Sequence, residues 1–152
     1  MWLMGESQPE PLATARLLAE GMVRPDLIEI FDRFAGGDDQ AIEEFRPLID
    51  RLAPDVVWDS TELGVPDVAD VVQGPAGVID FFRRWLAAWS EFAWTVSNFE
   101  VRGDDVIYDV HIIARSRQTG LALDQHVTHR MTIRDEKLVA WRLFRDRQDT
   151  RS

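Results

Sequence analysis

Near Phe92 the hydrophobic repeat of this chain changes period, and that change constrains the fold more than any other feature. Before it, apolar residues recur every three or four positions, the spacing of one helix face. After it they alternate, the spacing of a strand with one buried side. Helices first and strands second, joined by short turns, describe an α+β domain in which a helical layer covers an antiparallel sheet.

The helical half divides at its glycines and prolines. Residues 1–24 read as a polar tail followed by an appended short helix from Leu12 to Glu20, stopped by Gly21. Its Leu12, Leu17 and Leu18 need a surface to cover. A second helix opens at Pro25-Asp26 and carries Leu27, Ile30, Phe31 and Phe34 on one side. Asp38-Asp39 can cap a third, whose apolar side is Ile42, Phe45, Ile49 and Leu52, and Pro47 predicts a break near Glu44 to Arg46. Ala53 to Ser60 then forms a strand that ends in Trp58, Asp59 and Ser60. Glu62 to Gln73 is a loop with one short extended piece at Val71-Val72. Gly74-Pro75 starts a fourth helix, Ala76 to Ser90, with an aromatic stripe of Phe81, Phe82, Trp85 and Trp89.

Four strands follow, separated by turns at 103–105, 118–120 and 135–136, and should form an antiparallel meander. Alternation assigns their faces. Tyr108, Val110, Ile112 and Ala114 form the inward set of one strand. On the next, Leu121, Leu123, Gln125, Val127, His129, Met131 and Ile133 share a side, so Gln125 and His129 are polar residues in an apolar row. A buried polar group costs a few kcal/mol unless hydrogen-bonded, which places these two beside a pocket or each other. In the last strand Ala140, Arg142, Phe144 and Asp146 oppose Trp141, Leu143 and Arg145, and the pattern selects neither side as inner.

Chemistry narrows to a few side chains. Asp59 brings a carboxylate to the edge of an apolar interior, where proton abstraction beside a carbonyl is chemically reasonable; capping the following loop is the plainer role. His129 can act as acid or base, or simply satisfy a buried neighbour. Trp58, Phe81, Trp85 and Trp89 can wall a site for a flat ligand, with Tyr108, Gln125, Arg142 and Phe144 as further ligand contacts. His111 and His126 fall together on the outer face, but no third ligand at suitable spacing accompanies them, so a surface or dimer-interface role is expected rather than a metal site. Six tryptophans favour a roomy aromatic cavity.

Composition removes several classes. A net charge of −10 repels phosphate backbones and anionic lipid, which argues against nucleic-acid and membrane partners. Zero cysteines exclude disulfides and thiolate chemistry and fit a cytoplasmic location. No phosphate loop, nucleophile elbow or metalloprotease helix is present, and no cofactor is expected.

Order and local pattern resemble the NTF2-like superfamily and, within it, the SnoaL-like proteins of polyketide-cyclase type. The segments that carry the resemblance are Leu52 to Asp59, Gly74 to Phe82, Asp124 to Asp135 and Trp141 to Arg147. It implies one domain over residues 25–148 with a short tail at 149–152. It also implies a cone of helices and a strongly curved sheet enclosing one pocket, and a homodimer formed through the outer sheet face. The ligand so implied is a small apolar or polycyclic molecule. Asp59 lies about where ketosteroid isomerase, a distant relative, places its carboxylate base. The expected function is cofactor-independent isomerisation, cyclisation or hydrolysis in an aromatic-lined pocket; the alternative is a non-catalytic module for binding or dimerisation.

Overall fold

A computed structural model describes residues 10–63 and 71–151. Four helices and six strands run in the order α1 (Glu10–Gly21), α2 (Leu27–Ala35), α3 (Asp39–Ile49), β1 (Leu52–Asp59), β2 (Val71–Gln73), α4 (Gly74–Leu86), β3 (Trp89–Arg102), β4 (Asp105–Ser116), β5 (Ala122–Arg134) and β6 (Lys137–Phe144). Short 3₁₀ turns at Thr61–Leu63 and Arg147–Arg151 follow β1 and β6. Most of the 62–73 loop lies outside the described residues; its end, Val71–Gln73, is the expected extended piece.

The strands form one open sheet in the order β2-β1-β6-β5-β4-β3. The meander from β3 to β6 is antiparallel, as alternation predicts. The sheet as a whole is mixed, because β1 lies parallel to β6, with Trp58 opposite Trp141 and Asp59 opposite Arg142. Pro54 sits where the β1–β6 register slips between Leu52 and Val57 and outside the Val57–Asp59 stretch that β2 pairs, which is how a residue without an N–H is tolerated in β1. Two bulges in β3, one flanked by Trp89 and Glu91 and one by Ser97 and Glu100, interrupt the ladder of the outermost long strand, the device by which a strand bends.

Two helical boundaries depart from the sequence reading. α3 runs on to Ile49 past Pro47, because the proline falls in the last turn, where the missing donor concerns only one exposed carbonyl. α4 ends at Leu86 rather than Ser90, so Trp89 belongs to the first residue of β3 and not to the helical stripe. Arg117 fixes that corner by donating to the carbonyls of Ala87 at 3.2 Å and Trp89 at 3.0 Å. Asp38 caps α3 as expected, its side chain accepting from the Ala41 amide at 3.0 Å, a bond that holds its carboxyl below the usual carboxylate range.

The core lies between the helices and the inner side of the sheet. Leu12, Leu18, Ala15 and Ala19 of α1 pack there, against strands β3 to β6, while Leu17 faces out. Trp58, Phe82 and Trp141 meet edge to face or tilted with centroids 4.9 to 5.7 Å apart. Each such pair adds roughly 0.5–1.5 kcal/mol to the burial of its area. The C-terminal turn is fastened too: Thr150 is buried, and Arg130 pairs with Asp105 while donating to the Thr150 carbonyl.

Candidate functional site

His129 sits on β5 directly across from Tyr108 on β4 and Leu143 on β6, and is completely buried. Its Nδ1 is approached by the Trp141 indole N–H at 2.9 Å and by the Tyr108 hydroxyl at 3.1 Å. An indole nitrogen can only donate, so Nδ1 must present its lone pair and the ring proton resides on Nε2. Burial lowers the His129 pKa from 6.5 to about 3, which keeps the ring neutral at ordinary pH. Burial also pushes the Tyr108 phenol well up, so it remains a neutral hydroxyl.

The Nε2–H is buried and finds no acceptor among the described residues. His129 lines a cavity of about 270 Å³. Trp58, Phe81, Trp85 and Trp89 form its aromatic side, Ile112, Leu123, Val127 and Leu143 its aliphatic wall, and Gln125 and Ser60 its remaining polar groups. The indole N–H groups of Trp58 and Trp89 are likewise buried without an acceptor among the described residues. Hydrocarbon makes up most of the cavity wall, and three buried N–H donors without acceptors among the described residues belong to side chains that line it.

Six of the residues singled out in the sequence thus come together: Trp58, Phe81, Trp85, Trp89, Gln125 and His129. Tyr108 is behind the cavity, holding His129 in orientation. Asp59, Arg142 and Phe144 do not line it. Strand parity is the reason, since Trp58 and Trp141 point inward at one register position, and Asp59 and Arg142, the next pair, take the other side. Asp59 caps the turn after β1: its Oδ1 accepts from the Thr61 amide at 3.0 Å and from the Thr61 hydroxyl at 2.6 Å. Phe144 is buried on the same side as Arg142. Among the described residues, no carboxylate lines the cavity.

Two contributions escaped the sequence reading. Ser60 shares the parity of Trp58, which is the signal that could have placed it. Trp141 gives no sign in the pattern that it orients a histidine, because the parity of β6 was ambiguous until β1 and β5 flanked it.

Residues 27–141 match the SnoaL-like domain family. No curated protein matches in sequence. Several solved structures share the fold. TerC, co-crystallised with polyporic acid, superposes with a TM-score of 0.62 at 20% identity over 91% of this chain and 92% of its own. An NTF2-like protein of unknown function from Burkholderia pseudomallei gives 0.62 at 16% identity, covering 94% and 95%. An LEH-like epoxide hydrolase from M. tuberculosis gives 0.60 at 14% identity, covering 90% and 83%. At such identities the likeness speaks for the fold alone.

Proposed function

The chain belongs to the SnoaL-like domain family, and from that premise we propose that it binds a flat, largely apolar small molecule through a carbonyl or similar oxygen that accepts from the His129 Nε2–H. The observation that carries this reading is the His129 Nε2–H, a neutral donor on a ring held by Tyr108 and Trp141, buried in a residue that lines the cavity and without an acceptor among the described residues; a ligand reaches it by a small shift of the wall. Such a donor polarises a carbonyl and stabilises negative charge developing on its oxygen, as oxyanion-hole donors do. The volume limits the size of the ligand. An engineered apolar cavity of about 150 Å³ accepts benzene, so about 270 Å³ corresponds to one or two rings rather than four.

Proton transfer would require a base as well. Asp59, adjacent to the cavity-lining Ser60, is the candidate for an isomerase, cyclase or hydrolase, and would first have to leave Thr61. Binding without turnover is the second reading, favoured by the absence of a carboxylate among the described lining residues. Association of two copies through the outer sheet face belongs to the same proposal, and sedimentation of the intact chain tests it.

The test of binding is tryptophan fluorescence titrated with one- and two-ring ketones and their deoxygenated hydrocarbon analogues. The ketone should bind roughly tenfold more tightly, the value of about one hydrogen bond to a buried donor. Leu123→Trp, which fills the cavity without touching His129, should abolish both titrations. Equal affinity for ketone and hydrocarbon would remove His129 as the recognising group. For the catalytic reading, Asp59→Asn should retain binding and lose turnover; unchanged turnover excludes Asp59 as base.

A further inference from the structure

On the opposite side of the same two strands, His111 of β4 and His126 of β5 are direct cross-strand partners. Their rings lie 4.1 Å apart and 8° from parallel. Asp124, two residues before His126 and on its side of β5, reaches His111, with Oδ1 2.7 Å from Nε2. One candidate ligand atom from each of the three residues can be chosen so that all lie within 4.8 Å of one another. We propose that His111, His126 and Asp124 form a binding site for a late first-row divalent metal ion, Zn²⁺ being the representative probe.

The donor set selects the class of ion. Two imidazole nitrogens and one carboxylate suit Zn²⁺, Ni²⁺ or Cu²⁺ and do not suit Mg²⁺ or Ca²⁺, which prefer oxygen. Bonds of about 2.0–2.1 Å at tetrahedral angles bring ligand atoms to about 3.4 Å from one another. The trio must therefore close in slightly, which its accessible side chains can do by rotation once Asp124 releases His111. Water completes the coordination. The scaffold is favourable because β4 and β5 are interior strands of the sheet, flanked by β3 and β6, so the Cα positions of the ligands are fixed by ladders on both sides. The surplus of acidic residues, 27 against 17 basic, adds attraction for any cation.

The ordinary role for these residues is a surface hydrogen bond between His111 and Asp124. That bond needs neither His126 nor its position on the same face across the ladder. The location also gives the ion a consequence. Ile112 and Gln125, the next cross-strand pair, point the other way and line the cavity, so an ion clipping His111 to His126 braces that wall.

Calorimetric titration of the full chain with Zn²⁺, paralleled by Mg²⁺, tests the site. One Zn²⁺ should bind per chain with micromolar affinity and raise the melting temperature, and Mg²⁺ should do neither. His111→Ala and His126→Ala should each weaken Zn²⁺ roughly tenfold or more, and Asp124→Asn should weaken it less. All three side chains are accessible in the single chain, so the melting temperatures of the variants without metal, compared at equal oligomeric state, should match that of the parent and show that the fold is intact. Zn²⁺ binding that persists in His126→Ala would mean scattered carboxylates hold the ion, and would overturn the proposal. So would a Zn²⁺ response no larger than that of Mg²⁺.

Discussion

At the scale of single residues, His129 makes the firmest commitments. Its native pKa of about 3 lies below the value of about 6.5 expected in the unfolded chain, so the unfolded state takes up a proton that the native state refuses. The stability this group confers is present above about pH 6.5 and declines as pH falls toward about 3, to a total of about 5 kcal/mol. Urea midpoints measured between pH 7 and pH 4 should fall steeply, and His129→Gln should flatten that dependence by close to one proton. Asp59 makes the contrasting prediction. Asp59→Ala should cost about 1 kcal/mol through loss of its bonds to Thr61, and leave ligand affinity unchanged. That His129 and Gln125 face one interior was legible in the sequence, because strand parity is a geometric rule with no exceptions inside a regular ladder. The role of Asp59 was not, since a carboxylate at the end of a strand serves equally as base or cap, and only the turn geometry distinguishes them.

At the scale of elements, local pattern gave the antiparallel meander and the faces of β4 and β5. It did not give the parallel pairing of β1 with β6, because contacts between residues some eighty positions apart leave no periodic trace. Trp89 illustrates a related limit. Its spacing from Trp85 fits a helix, but α4 had already ended, and Arg117, the residue just after β4, holds the corner. The junction of β2 and α4 rests on Gly74, whose φ of +80° is costly for any residue with a Cβ. An added Cβ would meet only ordinary contact with the Pro54 carbonyl at 3.6 Å, so the penalty is conformational. Gly74→Ala should therefore destabilise by about 1 kcal/mol and lower the melting temperature by about 2–4 °C, as calorimetry can check.

At the scale of the whole molecule, the cavity beside His129 is a portion of the interior that packing leaves unfilled, bordered by aromatic rings that elsewhere close the core. A ligand that occupies it binds the native state alone. At one hundred times its dissociation constant it should add about 2.7 kcal/mol, which for a chain of this length raises the melting temperature by about 5–10 °C. A hydrocarbon of one ring should give a smaller rise than its ketone in the same scan. The same accounting makes the domain a sensor of its own occupancy, since ligand and melting temperature report each other.

The pairing of Trp58 with Trp141 has a temporal side. During synthesis β6 emerges after β1, β3, β4 and β5, so the strand that joins the two halves of the sheet is also the one that delivers the Trp141 donor to His129. Until it emerges, the growing chain carries β1 and β5 with unpaired edges and a histidine with no fixed tautomer. The site is thus assembled in one late step, and a chain that stops short of β6 has lost a recognition pocket and acquired two adhesive borders.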